Sequence, residues 1–133
     1  MHVEAIDHVN IITDDLHASA RFYAEVVGLE RRDGPPPLTH ENAQWMFDAS
    51  GRAVIHLNTH DAPKAYDRAT PSGPQTGALH HVALRCAGYE AMVLRLEGME
   101  IDHRINHVEA IGLRQIFLND PNGVLLELNF FGD

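Results

Sequence analysis

The chain has 133 residues and a formal net charge of −9, with 44% hydrophobic and 22% charged residues, a composition that suits one soluble globular domain and lies outside the disordered regime. No run reaches the roughly 18–20 apolar residues of a membrane span, and Met1–Ala5 lacks the basic and apolar regions of a signal peptide, so a cytoplasmic protein without a membrane partner is expected. The acidic residues are spread along the chain without a basic patch, which opposes nucleic-acid binding, and ten histidines stand out in a chain with a single cysteine.

In chain order, Ile6–Ile11 reads as a strand carrying His8. Leu16, Ala20, Tyr23 and Val27 recur at helical spacing behind the cap candidates Thr13, Asp14 and Asp15, and the helix closes on Gly28. Gly34-Pro35-Pro36-Pro37 reads as a loop near the site. The turn Asp48-Ala49-Ser50-Gly51 then leads into the strand Ala53–Asn58, which carries His56. Residues 59–77, with three prolines and two glycines, read as a linker with one helical turn around Lys64–Arg68.

The pattern then repeats. Leu79–Leu84 matches Ile6–Ile11 and carries His81; Tyr89, Met92, Val93 and Leu96 mark a second helix closing on Gly98; Asp120-Pro121-Asn122-Gly123 leads into Val124–Asn129, which carries Glu127. His56 lies 48 residues after His8, and Glu127 lies 46 after His81. Each copy reads strand, helix, strand, strand, strand. The expected fold is α+β, a single domain over 1–133 made of two tandem βαβββ modules at 1–58 and 78–133.

Side chains two apart in a strand share a face. Val9 and Ile11 therefore oppose His8 and Asn10; Ile55 and Leu57 oppose His56 and Asn58; Val82 and Leu84 oppose His81 and Arg85; Leu126 and Leu128 oppose Glu127 and Asn129. Each strand thus has one apolar face and one face bearing a metal-ligand type of residue. If the polar faces line a shared cleft, unpaired His and Glu would be costly to bury and one divalent metal would satisfy them together. The candidate ligands are His8, His56, His81 and Glu127, with Asn10, Asn58, Arg85 and Asn129 as polar lining. Cys86, between apolar neighbours, reads as an inert core residue.

These motifs, Asp7-His8-Val9, His80-His81-Val82-Ala83-Leu84 and above all Phe117–Leu128 with its Asp120-Pro121-Asn122-Gly123 turn, resemble the vicinal oxygen chelate superfamily over nearly the whole chain. The resemblance implies that the paired modules form a cupped eight-stranded half-barrel around a metal cleft, commonly in a homodimer. It implies one divalent ion (Zn, Ni, Co, Mn or Fe(II)) whose charge stabilises a small substrate chelating it through adjacent oxygens.

Within that resemblance a glyoxalase-like lyase or isomerase is expected first, with Glu127 as base and His56 as a ligand or a second base. A glutamate usually stands where His56 does. An Fe(II) extradiol ring-cleaving dioxygenase is the alternative: His8, His81 and Glu127 match its two-His-one-carboxylate set, but Phe117 replaces its usual Tyr and only His107 stands for its upstream His. A fosfomycin-type transferase would need Arg85 and Arg114 as anion ligands. A non-catalytic binding protein of the bleomycin-resistance type generally lacks the ligand set.

Overall fold

The computed structural model describes residues 1–63 and 77–132, and the helical turn expected around Lys64–Arg68 lies outside the described residues. The chain forms two compact units, Met1–Pro74 and Gln75–Asp133. Each holds a four-stranded mixed sheet, so the fold is α+β as the repeat requires. Among the described residues no helix is long and apolar enough to cross a membrane.

In the first unit β1 (Val9–Ile12), β2 (Glu30–Asp33), β3 (Ala43–Phe47) and β4 (Ala53–Asn58) lie in the order β1-β4-β3-β2. In the second, β5 (Val82–Cys86), β6 (Arg104–Val108), β7 (Leu113–Asn119) and β8 (Leu125–Phe131) lie in the order β5-β8-β7-β6. The first and last strands of each module are parallel neighbours, because the helix carries the chain back across the sheet, and the other pairs are antiparallel.

Register repeats as closely as topology. Val9 pairs with Ile55 and Asn10 with His56; Val82 pairs with Leu126 and Ala83 with Glu127. The row Asn10, His56, Trp45, Arg32 across the first sheet is therefore matched by Ala83, Glu127, Phe117, Arg104 across the second.

The opposite faces are apolar and carry the helices. In the first unit Ile11, Met46, Ile55 and Leu57 are buried with Leu16, Ala20, Tyr23 and Val26; in the second, Ile116, Leu118, Leu126, Leu128 and Phe130 are buried with Tyr89, Met92 and Leu96. Each such side chain contributes about 1.5–3 kcal/mol when fully removed from water.

The first helix begins as expected, with Asp15 accepting from the Ala18 amide at 3.0 Å. After α1 (Leu16–Arg21) it widens into a π-helical stretch, Phe22–Val27, and ends at Gly28 with φ 93°. Within this stretch Val26 is buried, and Val27, which the 3.6-residue period places inward, is half-buried.

The second helix, α2 (Tyr89–Gly98), keeps Gly98 as its last residue, and the left-handed position falls instead on Glu100, φ 54°.

Two matched turns aim the last strand of each module. Asp48 Oδ1 accepts from the amides of Ser50 and Arg52 at 2.9 and 3.0 Å, and Asp120 Oδ1 from those of Asn122 and Val124 at 2.8 Å each. Gly51 and Gly123 take φ 84° and 81°, conformations that a side chain would strain. His56 and Glu127 each lie a few residues beyond.

Candidate metal centre

His8 immediately precedes β1. Its Nδ1–H donates to Asp7 Oδ2 at 2.5 Å, which leaves Nε2 as the nitrogen that could ligate and holds the Asp7 carboxyl below its ordinary range. A carboxylate on the far nitrogen is the usual support of a metal-binding histidine. The His8 ring stacks on His56, centroids 3.8 Å apart and planes 9° from parallel, and His56 stacks in turn on Trp45 at 3.8 Å and 10°. His56 is buried, and its Nε2–H donates to the Ala53 carbonyl at 3.1 Å.

This stack constrains the chemistry. A metal on an imidazole nitrogen lies near the ring plane, about 2.1 Å from the nitrogen. Two nearly parallel planes stacked at van der Waals distance have no common point at that range. With the rings so arranged, His8 and His56 do not share an ion.

In the second unit His81 immediately precedes β5, and its Nε2 lies 3.0 Å from Glu127 Oε2. That is a hydrogen-bonding distance, and it brings together two side chains of metal-ligand type that could hold an ion. The Glu127 side chain is 12% exposed and its other oxygen, Oε1, accepts from Gln115 Nε2 at 2.7 Å. Gln115 Nε2 also donates to Asn129 Oδ1 at 3.1 Å, and Gln115 Oε1 accepts from Asn106 Nδ2 at 2.7 Å. His80 Nδ1 lies 2.9 Å from His81 Nδ1. Sequence reasoning passed over Gln115, whose only signal is its place two residues before Phe117.

Of the expected lining residues, Asn58 is fully buried and donates to Asn10 Oδ1 at 3.0 Å, Asn129 joins the Gln115 network, and the Arg85 guanidinium lies 4.7 Å over the Phe131 ring. His107 and Arg114 are on the helix side of their sheet, paired in register with each other. Arg114 caps the Tyr89 ring at 3.9 Å and bonds Glu90 at 2.9 Å, while His107 meets Tyr89 edge-on at 6.2 Å. Neither faces Glu127. Phe117 does share that face, beneath the Arg104 guanidinium at 4.4 Å.

His17, His40 and Glu41 bring potential ligand atoms within 4.8 Å of one another. Arg31 donates to His17 Nδ1, so His17 carries its proton on Nε2 and gives it to Glu41 at 2.8 Å; His40 Nδ1 bonds Asp33 at 2.7 Å. With Gln44 joining Arg31 to Asp33, this cluster is a hydrogen-bonded charge network in which His17 has no lone pair to offer. It contains none of the four expected ligands.

A cavity of about 630 Å³ opens in the first unit beside Trp45, Arg52 and His56, bordered by Glu4, Ile6 and Asp7 of the N-terminal segment. Its size suits a small organic molecule.

Paired βαβββ sheets with histidine before the first strand of each module define a class, and sequence comparison specifies it. Residues 5–128 match the Glyoxalase/Bleomycin resistance protein/Dioxygenase superfamily, and the chain belongs to that family. It is 28% identical over 129 residues to the Bacillus subtilis (strain 168) protein YwbC, covering 92% of this chain and 94% of that one.

Among solved structures it is similar to lactoylglutathione lyase from Agrobacterium tumefaciens (TM-score 0.65, 20% identity, 97% and 95% of the two chains). It is also similar to TnmS3, an antibiotic-binding protein from Streptomyces sp. CB03234 (TM-score 0.68, 19% identity, 99% of each chain). At these identities the likeness is one of fold.

Proposed function

We propose that the protein is a metal-dependent lyase or isomerase of the glyoxalase-like type, holding one divalent ion through His8, His81 and Glu127 and acting on a small substrate with adjacent oxygens. The observation that carries this reading is the 3.0 Å His81–Glu127 pair, with Glu127 anchored through Gln115, together with a His8 whose Nε2 is oriented by Asp7. The donor set of two imidazoles and a carboxylate suits Zn, Ni, Co, Mn or Fe(II). When bound, the ion supplies positive charge where negative charge develops on substrate oxygens.

The chain's own residues do the rest. Glu127 takes the proton from a carbon beside a carbonyl and returns it, and Gln115 keeps the carboxylate aimed by holding its other oxygen. Asn10 and Asn58 present amides on the His56 face of the first sheet, and Arg85 and Asn129 present polar groups on the Glu127 face of the second. The working unit is a homodimer, for which the exposed Ile105, Ile111 and Phe131 of the second module offer apolar surface; sedimentation velocity checks it.

Hydrogen–deuterium exchange followed by NMR, on metal-loaded protein with a panel of small hydroxy-carbonyl compounds, tests the reaction class. Exchange beside the carbonyl that needs metal and is abolished in Glu127→Gln supports it.

The same two-His-one-carboxylate set favours a second reading, an Fe(II) ring-cleaving dioxygenase. Phe117 offers no hydroxyl and His107 faces away from Glu127, so that reading lacks both proton-handling groups. Oxygen uptake and a yellow product from catechols with Fe(II)-loaded protein, without exchange on the carbonyl panel, would replace the first reading by the second.

A further inference from the structure

We infer that His56 and Trp45 are positioning residues: a three-ring stack fixes the plane of the His8 imidazole, and the Gly34–Leu38 loop seats the indole at its far end. The inference rests on the reading of His8 as a ligand and assigns His56 a task other than ligation or proton transfer.

Three observations converge. The rings of His8, His56 and Trp45 lie in one continuous pile, with both centroid spacings 3.8 Å and both interplanar angles near 10°. His56 cannot slide out, because Nε2–H is tied to the Ala53 carbonyl and the side chain is buried. Trp45 packs closely on this loop: a Cβ on Gly34 would stand 3.2 Å from Trp45 Nε1 and 2.8 Å from the Leu38 methyl, so a larger residue there would push the leucine or the indole aside. Trp45 Nε1 is buried there without an acceptor among the described residues. An unmade hydrogen bond costs about 1–3 kcal/mol, so packing rather than polar contact holds the indole in place.

The second module orients its histidine differently. At the positions matching Trp45 and His56 it has Phe117 and Glu127, and a carboxylate at the strand centre meets His81 directly. His8 is thus held by a ring stack together with the Asp7 carboxylate before it, whereas His81 meets a carboxylate from the last strand of its own sheet. The Gly34-Pro35-Pro36-Pro37 loop, which has no counterpart in the second module, accompanies the stack.

The test compares shape with nitrogen chemistry. Zn(II) affinity is measured by chelator competition for His56→Phe, His56→Ala, Trp45→Phe and Trp45→Leu, with far-UV circular dichroism to confirm folding. Proton NMR of the histidine rings in metal-free protein runs alongside.

A stacking role predicts Zn(II) affinity within a few-fold of the parent in both phenylalanine variants, which keep a ring. It predicts about a 10–100-fold loss in His56→Ala and Trp45→Leu, the usual range for removing a group that orients a ligand. The ring protons of His56 should be shifted upfield in the parent and relax downfield in Trp45→Leu.

Equal losses in His56→Phe and His56→Ala would make His56 a ligand and overturn the inference. Unchanged affinity in all four variants would overturn it equally. A parent protein that binds no Zn(II) refutes the metal reading and the positioning role with it, while the proton shifts still show whether the stack exists.

Discussion

Replacing Gln115 by Leu removes the support of Glu127 without touching an expected ligand. Three hydrogen bonds disappear: to Glu127 at 2.7 Å, to Asn129 at 3.1 Å and from Asn106 at 2.7 Å. A hydrogen bond to a charged group contributes about 1.5–3 kcal/mol and a neutral one about 0.5–1.5 kcal/mol. Asn106 is exposed and its amide rehydrates at little cost, so the Glu127 bond dominates. Apolar burial by the new leucine offsets roughly 1 kcal/mol. The net destabilisation is about 2 kcal/mol, or roughly 5–10 °C in Tm for a chain of this size.

Zn(II) affinity should fall about 10–100-fold because the carboxylate is no longer held. Thermal unfolding by circular dichroism reads the first quantity and calorimetric titration the second. A loss below about 0.5 kcal/mol together with unchanged Zn(II) affinity would refute the support role, since such a change is what an ordinary surface substitution produces.

Burial pushes the Cys86 thiol up to about 11, so folded protein at pH 8 should react with iodoacetamide far more slowly than unfolded protein, and rapid labelling of the folded chain would contradict this. The Asp48 carboxyl is held down at about 2, first by the Ser50 hydroxyl and then by the Arg52 amide. Its folded value lies below the unfolded one, so its stabilising contribution is present above about pH 4 and is lost as pH falls through about 2. A carboxyl ¹³C titration should place it there, and a midpoint near 4 would show that the turn does not hold it.

Glu100→Gly should raise stability by up to about 1 kcal/mol by relieving the left-handed backbone at φ 54°, measured by chemical denaturation; a loss would mean that the Glu100 side chain makes a contact of greater worth.

The repeat was legible because strands impose a period of two and turns require particular residues. Matching His8 with His81 and His56 with Glu127 anticipates the observed registers, in which Val9 meets Ile55 and Val82 meets Leu126. The two Asp-x-x-Gly turns were equally plain, since a carboxylate that caps backbone amides and a positive φ leave few choices.

What escaped depends on long-range pairing. Nothing local in the sequence says that Trp45 will lie opposite His56, or that Gln115 will reach Glu127; both follow from how the third strand of each module registers against the fourth. The π-helical stretch Phe22–Val27 escaped because its apolar spacing reads as that of an ordinary helix. His107 and Arg114 needed the pairing of β6 with β7 before their face could be known.

The centre itself is tested most directly by X-ray absorption on protein loaded with one equivalent of Zn(II), for the parent and for His8→Ala, His81→Ala, Glu127→Ala and His56→Phe. The expected result is a stoichiometric ion with a nitrogen and oxygen shell at about 2.0–2.2 Å containing two imidazoles, lost in the first three variants and unchanged in His56→Phe. Failure of the parent to bind a stoichiometric ion, or a third imidazole that vanishes in His56→Phe, would contradict it.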